Sequence, residues 1–582
     1  MKNILFMKYI HLFKTNSEFT TAYNGPDYIA PWLSLTEETR TINSSKILTA
    51  ITFGSITWVT DIPATGGTAT KDNCTFKVYA NYNNGSSSDI SSIVTVTGEL
   101  AVEPSTSDQR HEAGQLTLTA SYGGFTTTGN VTVYQEAAPD FSTKPLTFNI
   151  TSDGTINWTA DDSSIAKTID YKLNDGEWTS IASNTGSSAP SITVTKGDKV
   201  QFRGNNTQYA TYDSWDYNSF SDSTASFEIE GNIMSLIYGD DFKNKLTISS
   251  TYAFASLFRD CTKLVSAENL ILPATTLADY CYSSMFDGCT KLTTAPALSA
   301  TTLKKYCYFN MFNGCTSLTT APVLPATKLA DNCYLQMFQN CTSLTTAPEL
   351  PATTLAEACY QSMFNGCTSL TTAPALPATK LADYCYNSMF YGCTSLTTAP
   401  ALPATILERY CYTNMFNGCT SLTIAPSVLP ATYLEINCCK SMFEGCTSLT
   451  TAPELPATSS KGNCYDSMFE GCTSLTTAPK ELPATILESS CYQRMFYGCT
   501  SLTKAPELPA TTLASYCYNK MFNGCTSLNY IKCLARNVSA SNCTGNWVSG
   551  VASTGTFVKA SSMTSWTTDV NGIPANWAVQ NA

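Results

Sequence analysis

Hydrophobic positions in this chain fall into two regimes. From about residue 43 to 232, apolar and polar residues alternate at period two in short runs such as "CTFKVYANY", "SSIVTVTG", "QLTLTASYGG" and "GNVTVYQEA", each followed by turn residues. Successive side chains of a strand point to opposite faces, so this alternation predicts strands with one buried side. A break at "AAPDFSTKP" separates a second set, "LTFNIT", "GTINWTA", "KTIDYKLN", "SITVTKGDKVQFRG" and "ASFEIEG". The two sets predict two β-sandwiches, over 43–138 and 139–232.

After residue 232 the pattern becomes a long repeat. The phenylalanine of a Met-Phe pair falls at Phe286, Phe312, Phe338, Phe364, Phe390, Phe416, Phe443, Phe469, Phe496 and Phe522, with a degenerate forerunner at Phe258. The period is 26, stretched to 27 at two places and to 28 at the start. Such self-similarity predicts a solenoid of about eleven rungs over 233–530, each burying its apolar face against its neighbours, about 50 Å long at strand spacing. Residues 531–582 break the period, as a C-terminal cap does.

Within one unit, "SLTTAPxLP" reads as a strand: Leu318, Ala321 and Leu324 are apolar, Thr319 and Thr320 favour strands, and Pro322 and Pro325 end the pairing. "ATxLAxxCYxxMFxG" reads as a short helix. Leu381, Cys385, Met389 and Phe390 share one helical face, and Gly392 stands where a helix would stop. Strand plus short helix per rung is the α/β leucine-rich-repeat plan.

The cysteines raise the question of chemistry. There are 25, mostly as a Cys-x7-Cys pair in each rung. Structural zinc sites bring thiols together at shorter spacing, and no histidine accompanies these. Eight helical residues would separate the pair by about 12 Å, too far for a disulfide. The pairs therefore read as two columns of buried thiols, with adjacent Cys438 and Cys439 as a potential bonded exception.

Composition and charge narrow the partners. Charged residues make up only 13% of the chain and apolar residues 43%. The net charge of −12 comes without a Lys/Arg run, so nucleic acid and anionic membranes lack electrostatic support as partners. No window approaches the roughly 18 apolar residues of a spanning helix, so no membrane insertion is expected. The start "MKNILFMKYIHLFKTNSEF" has its apolar group interrupted by Lys8, His11 and Lys14 and carries no small-x-small site, so no signal peptide is expected.

Catalytic constellations are not in view. His11 and His111 are the only histidines, and both read as solvated surface. The adjacent acids Asp161-Asp162 and Asp240-Asp241 sit where strand neighbours diverge or loop acids are commonplace. Trp158, Trp178 and Trp215 could stack on sugars if exposed, but a sandwich tryptophan is more often core. The chain is therefore expected to be non-enzymatic, without cofactor or metal.

Binding has more support. Stacked rungs place Thr320, Thr346, Thr372 and Thr398 in one column beside the varying Val323, Glu349, Ala375, Ala401, Glu454 and Glu507, which makes these the candidate contact residues. The extra residues in "APSVLP" and "APKELP" are expected to bulge the strand end.

Three stretches resemble known families. "MFxGCTSLTTAPxLP" resembles the 26-residue bacterial surface-protein repeat related to the BspA-like leucine-rich repeats of gut and oral bacteria. "GNVTVYQEA" resembles the last strand of BACON-type and other bacterial Ig-like domains. "LFKTNSEFTTAYNGPDYIAPWLSLTEET" resembles the N-terminal segment of virion proteins of tailed phages infecting Bacteroides-like hosts.

Together these resemblances imply a phage fibre, made in the host cytoplasm and residing in the virion. Residues 1–42 would anchor it to other virion proteins, and its repeats would attach to a host-surface glycan or protein. Fibres of this kind imply a homo-oligomer, with a trimer the family habit. The alternatives are a cell-surface adhesin of a gut bacterium and a purely structural virion decoration.

Overall fold

The structure is a computed structural model that describes residues 33–35, 40–42, 48–63, 66–103, 110–135, 140–211 and 216–582. The expected anchor segment 1–42 thus lies outside the described residues, except for the strand pair Leu33–Leu35 and Arg40–Ile42. The chain divides into two compact units, Met1–Asp140 and Phe141–Ala582.

In the first unit, Leu48–Trp58, Cys74–Tyr82 and Ser87–Asp89 form one antiparallel sheet, and Thr95–Thr97, His111–Tyr122 and Phe125–Gln135 another. The alternation is visible in the burial: Leu116, Leu118 and Ala120 point inward along one strand, as do Val78 and Ala80 on another. These residues form a core with Leu48, Ile51, Val131 and Val133.

In the second unit a six-stranded sheet runs in the order Thr179–Ala182, Thr168–Leu173, Lys199–Arg203, Leu146–Ile150, Phe227–Asn232, Leu264–Ile271. The last pair is parallel. Leu264–Ile271 is the strand of the degenerate first rung, so the sheet of the second strand set passes directly into the solenoid. The core is equally continuous. Phe148 stacks on Phe227 at 4.5 Å, Phe220 on Phe258 at 5.8 Å, and Phe258 on Phe286 at 5.4 Å. From there the ring column continues rung by rung to Phe522, which meets Trp547.

Both expected elements of the rung are corrected. No helix forms over "ATxLAxxCYxxMFxG"; the segment is a chain of turns in which every fourth residue is left-handed, as at Tyr280 (φ 59°), Ser284 (φ 53°) and Gly288 (φ 74°). Backbone donors alternate. Met285 N–H returns to Tyr282 C=O (3.2 Å) and Asp287 N–H to Ser284 C=O (3.1 Å) within the rung, whereas Phe286 N–H reaches Met311 C=O (2.9 Å) and Gly288 N–H reaches Asn313 C=O (2.8 Å) in the next. The apolar spacing explains the outcome. Cys385, Met389 and Cys393 recur at steps of four, as do Tyr386 and Phe390, and on an α-helix each such step would drift by about 40° from a common face.

The strand expected over "SLTTAPxLP" shrinks to single parallel bridges, such as Thr320 to Thr346 and Thr346 to Thr372. Proline supplies no N–H, so the prolines of the copies, two in each except the one holding Pro296 alone, break the ladder. Where the prolines are missing, true strands appear: "LVSAENLI" at the first rung and Tyr530–Cys533 at the last, the latter pairing with Thr556–Lys559 and through it with Ala578–Asn581. Trp547, Trp566 and Trp577 close this end; Trp547 stacks on Trp566 at 5.6 Å, and its Nε1–H donates to Gly572 C=O (2.8 Å).

Candidate functional site

All 25 cysteines are free thiols, Cys438 and Cys439 included. They serve the frame. The second cysteine of each pair donates its S–H to a phenylalanine carbonyl of the preceding rung: Cys315 to Phe286 (3.2 Å), Cys341 to Phe312 (3.1 Å), Cys393 to Phe364 (3.1 Å). The same Phe286 carbonyl also accepts Cys289 N–H (3.1 Å), so the thiol satisfies the second lone pair of a buried acceptor. Burial pushes the Cys385 and Cys367 thiols up to about 12, so they remain protonated at neutral pH and are poor nucleophiles and metal ligands. Among the described residues no cluster of His, Cys, Asp and Glu is arranged to hold a metal, and no helix is long and apolar enough to cross a membrane.

Solvent meets the rungs on the threonine side. Thr320, Thr346, Thr372 and Thr398 are exposed, the first three consecutive in one bridged ladder and Thr398 bridged to Ile424. Adjacent Thr319, Thr345 and Thr371 are exposed too, with Thr345 N–H donating to Thr319 C=O (3.3 Å) and Thr371 N–H to Thr345 C=O (3.4 Å). Val323, Glu349, Ala375 and Ala401 stand exposed beside the ladder, Val323 at 77%.

Two of the ten candidates have side chains tied to neighbouring rungs. The Glu454 carboxylate accepts Lys480 N–H (3.2 Å), and half-buried Glu507 pairs with Lys532 (2.8 Å). The inserted residues Val428 and Glu481 each form an additional parallel bridge, to Glu454 and Glu507. Exposed Ile406, Tyr433 and Ile486 line a second ladder, eight or nine residues further along each rung.

The turn side of the rungs carries a feature that composition and repeat length do not reveal. Tyr252, Tyr280 and Tyr306 stack at 4.7 and 4.6 Å, all with left-handed backbone, and Phe309 stands edge-on to Tyr306 at 5.8 Å. They line a cleft of about 250 Å³, completed by Ala255, Ser256, Ser283 and Ser284 from the rungs and by Ala210 and Thr211 from the sandwich. The available signal was the residue before each Cys-Tyr, which is Tyr in several copies and Asn, Ala358 or Ser490 in the others.

The remaining sequence candidates have structural partners. Trp158 is fully buried and donates its indole N–H to Lys167 C=O (2.8 Å); Trp178 is half-buried with the Arg203 guanidinium over its ring at 4.2 Å. Trp215 and His11 lie outside the described residues. His111 is half-buried at the start of its strand. Asp162 caps a turn through Ser164 N–H (2.7 Å), and Asp240 pairs with Arg203 (2.6 Å). Asp287, half-buried within an early rung, is pushed up to about 6 by burial, opposed by Arg259 at 3.5 Å and reinforced by Asp260.

Comparison with known proteins bears on the repeats. Residues 242–356, 308–450 and 438–543 match the BspA type leucine rich repeat region, in six copies that together span just over half of the chain. Among solved structures, a leucine-rich repeat protein from Bacteroides ovatus ATCC 8483 is similar at 18% identity, over 62% of this chain and 95% of that one, with a TM-score of 0.34. No curated protein matches the chain.

Proposed function

Because the chain belongs to the BspA-type leucine-rich repeat family, we propose that it is a non-enzymatic attachment protein whose solenoid binds a glycan or protein on a bacterial surface. One observation carries this reading. The buried positions repeat from rung to rung as Cys, Tyr, Met, Phe and Leu, while exposed positions on the same frame change, as in Val323, Glu349, Ala375 and Ala401. A repeated frame with variable exposed positions is how solenoids present extended contact surfaces.

The resemblance of the N-terminal stretch to phage virion proteins supports a place on a virion fibre, with a homotrimer as its assembly; the family of the repeats supports the alternative, an adhesin-like protein on the bacterium itself. Immunogold labelling of purified particles and of uninfected cells separates the two. Attachment is tested by titrating the labelled intact chain onto Bacteroides-type cells. Saturable binding, competed by unlabelled protein and weakened when Val323, Glu349, Ala375 and Ala401 are replaced together by lysine, is the expected result. Non-saturable or absent binding overturns the proposal.

A further inference from the structure

We infer that the pocket on the sheet face around Arg203, Asp170 and Asp240 is a binding site for a neutral polyhydroxylated ligand, a pyranose ring with adjacent free hydroxyls. The site belongs to the second strand set and not to the ladders of the rungs, so the inference goes beyond the attachment reading and does not rest on it.

Strand register builds the site. Thr168–Leu173 lies between Thr179–Ala182 and Lys199–Arg203, with Asp170 opposite Ser180 on one side and opposite Arg203 on the other. Residues directly opposite share a sheet face, so the three side chains stand in one row. Ser180 Oγ–H donates to Asp170 Oδ1 (2.5 Å) and Arg203 Nε–H to Asp170 Oδ2 (3.3 Å). Asp240 joins the row from the turn after Ser235–Tyr238 and accepts Arg203 Nη1–H (2.6 Å), while the Trp178 ring supports the guanidinium at 4.2 Å. Thr168 and Asn205 complete a pocket of about 390 Å³, within the roughly 300–1,000 Å³ of small-molecule sites.

Hydrogen-bonding capacity defines the occupant. The guanidinium is a rigid fork of N–H donors, of which Asp170 and Asp240 engage only the Nε–H and one Nη1–H. Asp240, its side chain 78% exposed, presents its second carboxylate oxygen, and Ser180, its hydrogen committed to Asp170, offers lone pairs. A ligand here must accept from a guanidinium and donate to a carboxylate within one small volume, which adjacent hydroxyls do. An anion would face Asp170 and Asp240, and a cation would face Arg203. The floor is fixed as well. Gly204 N–H donates to Ser235 C=O (2.9 Å) and Gly239 N–H to Gly204 C=O (2.7 Å); a Cβ at Gly204 would come within 2.8 Å of the Leu236 carbonyl oxygen, so glycine permits the approach. Little ordering is therefore left for binding to supply. Exposed ion pairs add little stability, so the second carboxylate, on a turn and largely in water, is better accounted for by a ligand than by the fold.

The test uses the intact chain. Saturation-transfer NMR is run against glucose, galactose, mannose and N-acetylglucosamine, and then against isolated capsular polysaccharide, to tell a free sugar from a residue within a chain; saturable binding of either supports the inference. Asp240→Ala removes the open carboxylate, Arg203→Lys removes the fork, and Asp241→Ala, outside the pocket lining, is the control. Affinity should fall about tenfold in Asp240→Ala and in Arg203→Lys and stay unchanged in Asp241→Ala, with both aspartate variants keeping the parent thermal transition. If Arg203→Lys melts early, Asp240→Ala decides. Absence of saturable sugar binding, equal loss in Asp240→Ala and Asp241→Ala, or acetate or calcium saturating the site in place of the sugars overturns the inference. Titration of the parent chain onto cells reads attachment separately, so either proposal can fail alone.

Discussion

The two sandwiches look alike in the sequence, each a run of short alternating strands, yet they end differently. The sheets of the first enclose a core of aliphatic residues within the unit that closes at Asp140. The second leaves the edge of Phe227–Asn232 to be covered by Leu264–Ile271, and its Phe148, Phe220 and Phe227 continue into the ring column of the rungs. A solenoid exposes an apolar face and an unpaired edge at each end, and both must be covered. The second sandwich does at the front what Trp547, Trp566 and Trp577 do at the back. The difference teaches that a domain-like sequence segment can be the cap of its neighbour.

Cutting the chain tests that difference most severely. A fragment beginning at 233 would uncover Phe258 and one edge of Leu264–Ile271, so it should be insoluble or lose its first rungs, whereas one beginning at 141 should fold and stay soluble; circular dichroism and light scattering decide. Next in size, Phe390→Ala in the ring column should cost about 3–5 kcal/mol, against about 1–2 kcal/mol for half-buried Phe76→Ala in the first sandwich, read from urea midpoints.

Smaller effects sharpen the electrostatic and thiol contrasts. The raised Asp287 binds a proton in the folded state between its ordinary value near 3.8 and about 6. Its contribution therefore favours the native state in acid and is lost as pH rises from about 4 through 6, a fall of about 3 kcal/mol that Asp287→Asn should flatten. Nothing comparable should appear in a pH series on the unit 1–140. Smallest, Cys393→Ala removes the S–H donor to Phe364 and should cost about 1–2 kcal/mol, while Cys393→Ser, which keeps a donor, should cost less; thermal melts of the two variants make the check.

Much of this was legible in the sequence. The 26-residue period, the buried columns and the role of the prolines follow from spacing alone, and the threonine ladder follows from the period. The helix expectation failed because period four and period 3.6 differ by only about 40° over a single turn; Gly392 signals a left-handed backbone, but Tyr384 and Ser388, equally left-handed at φ 58° and 54°, do not. The continuity at Asn232 was hidden because pairing with Leu264–Ile271 joins segments that no local pattern connects. The cleft was hidden for the same reason, since Ala210 and Thr211 meet Tyr280 and Tyr306 only in the folded chain.

Native-state hydrogen exchange in the intact chain is the most direct measure of whether sandwich and solenoid form one structure. Amides of Phe148 and Phe202 in the sandwich, and of Phe258 and Phe286 in the first rungs, should open with a common free energy and a common urea dependence. If the sandwich amides stay protected while Phe258 and Phe286 exchange in a separate, lower-energy opening, the shared sheet and ring column do not couple them, and the account is contradicted.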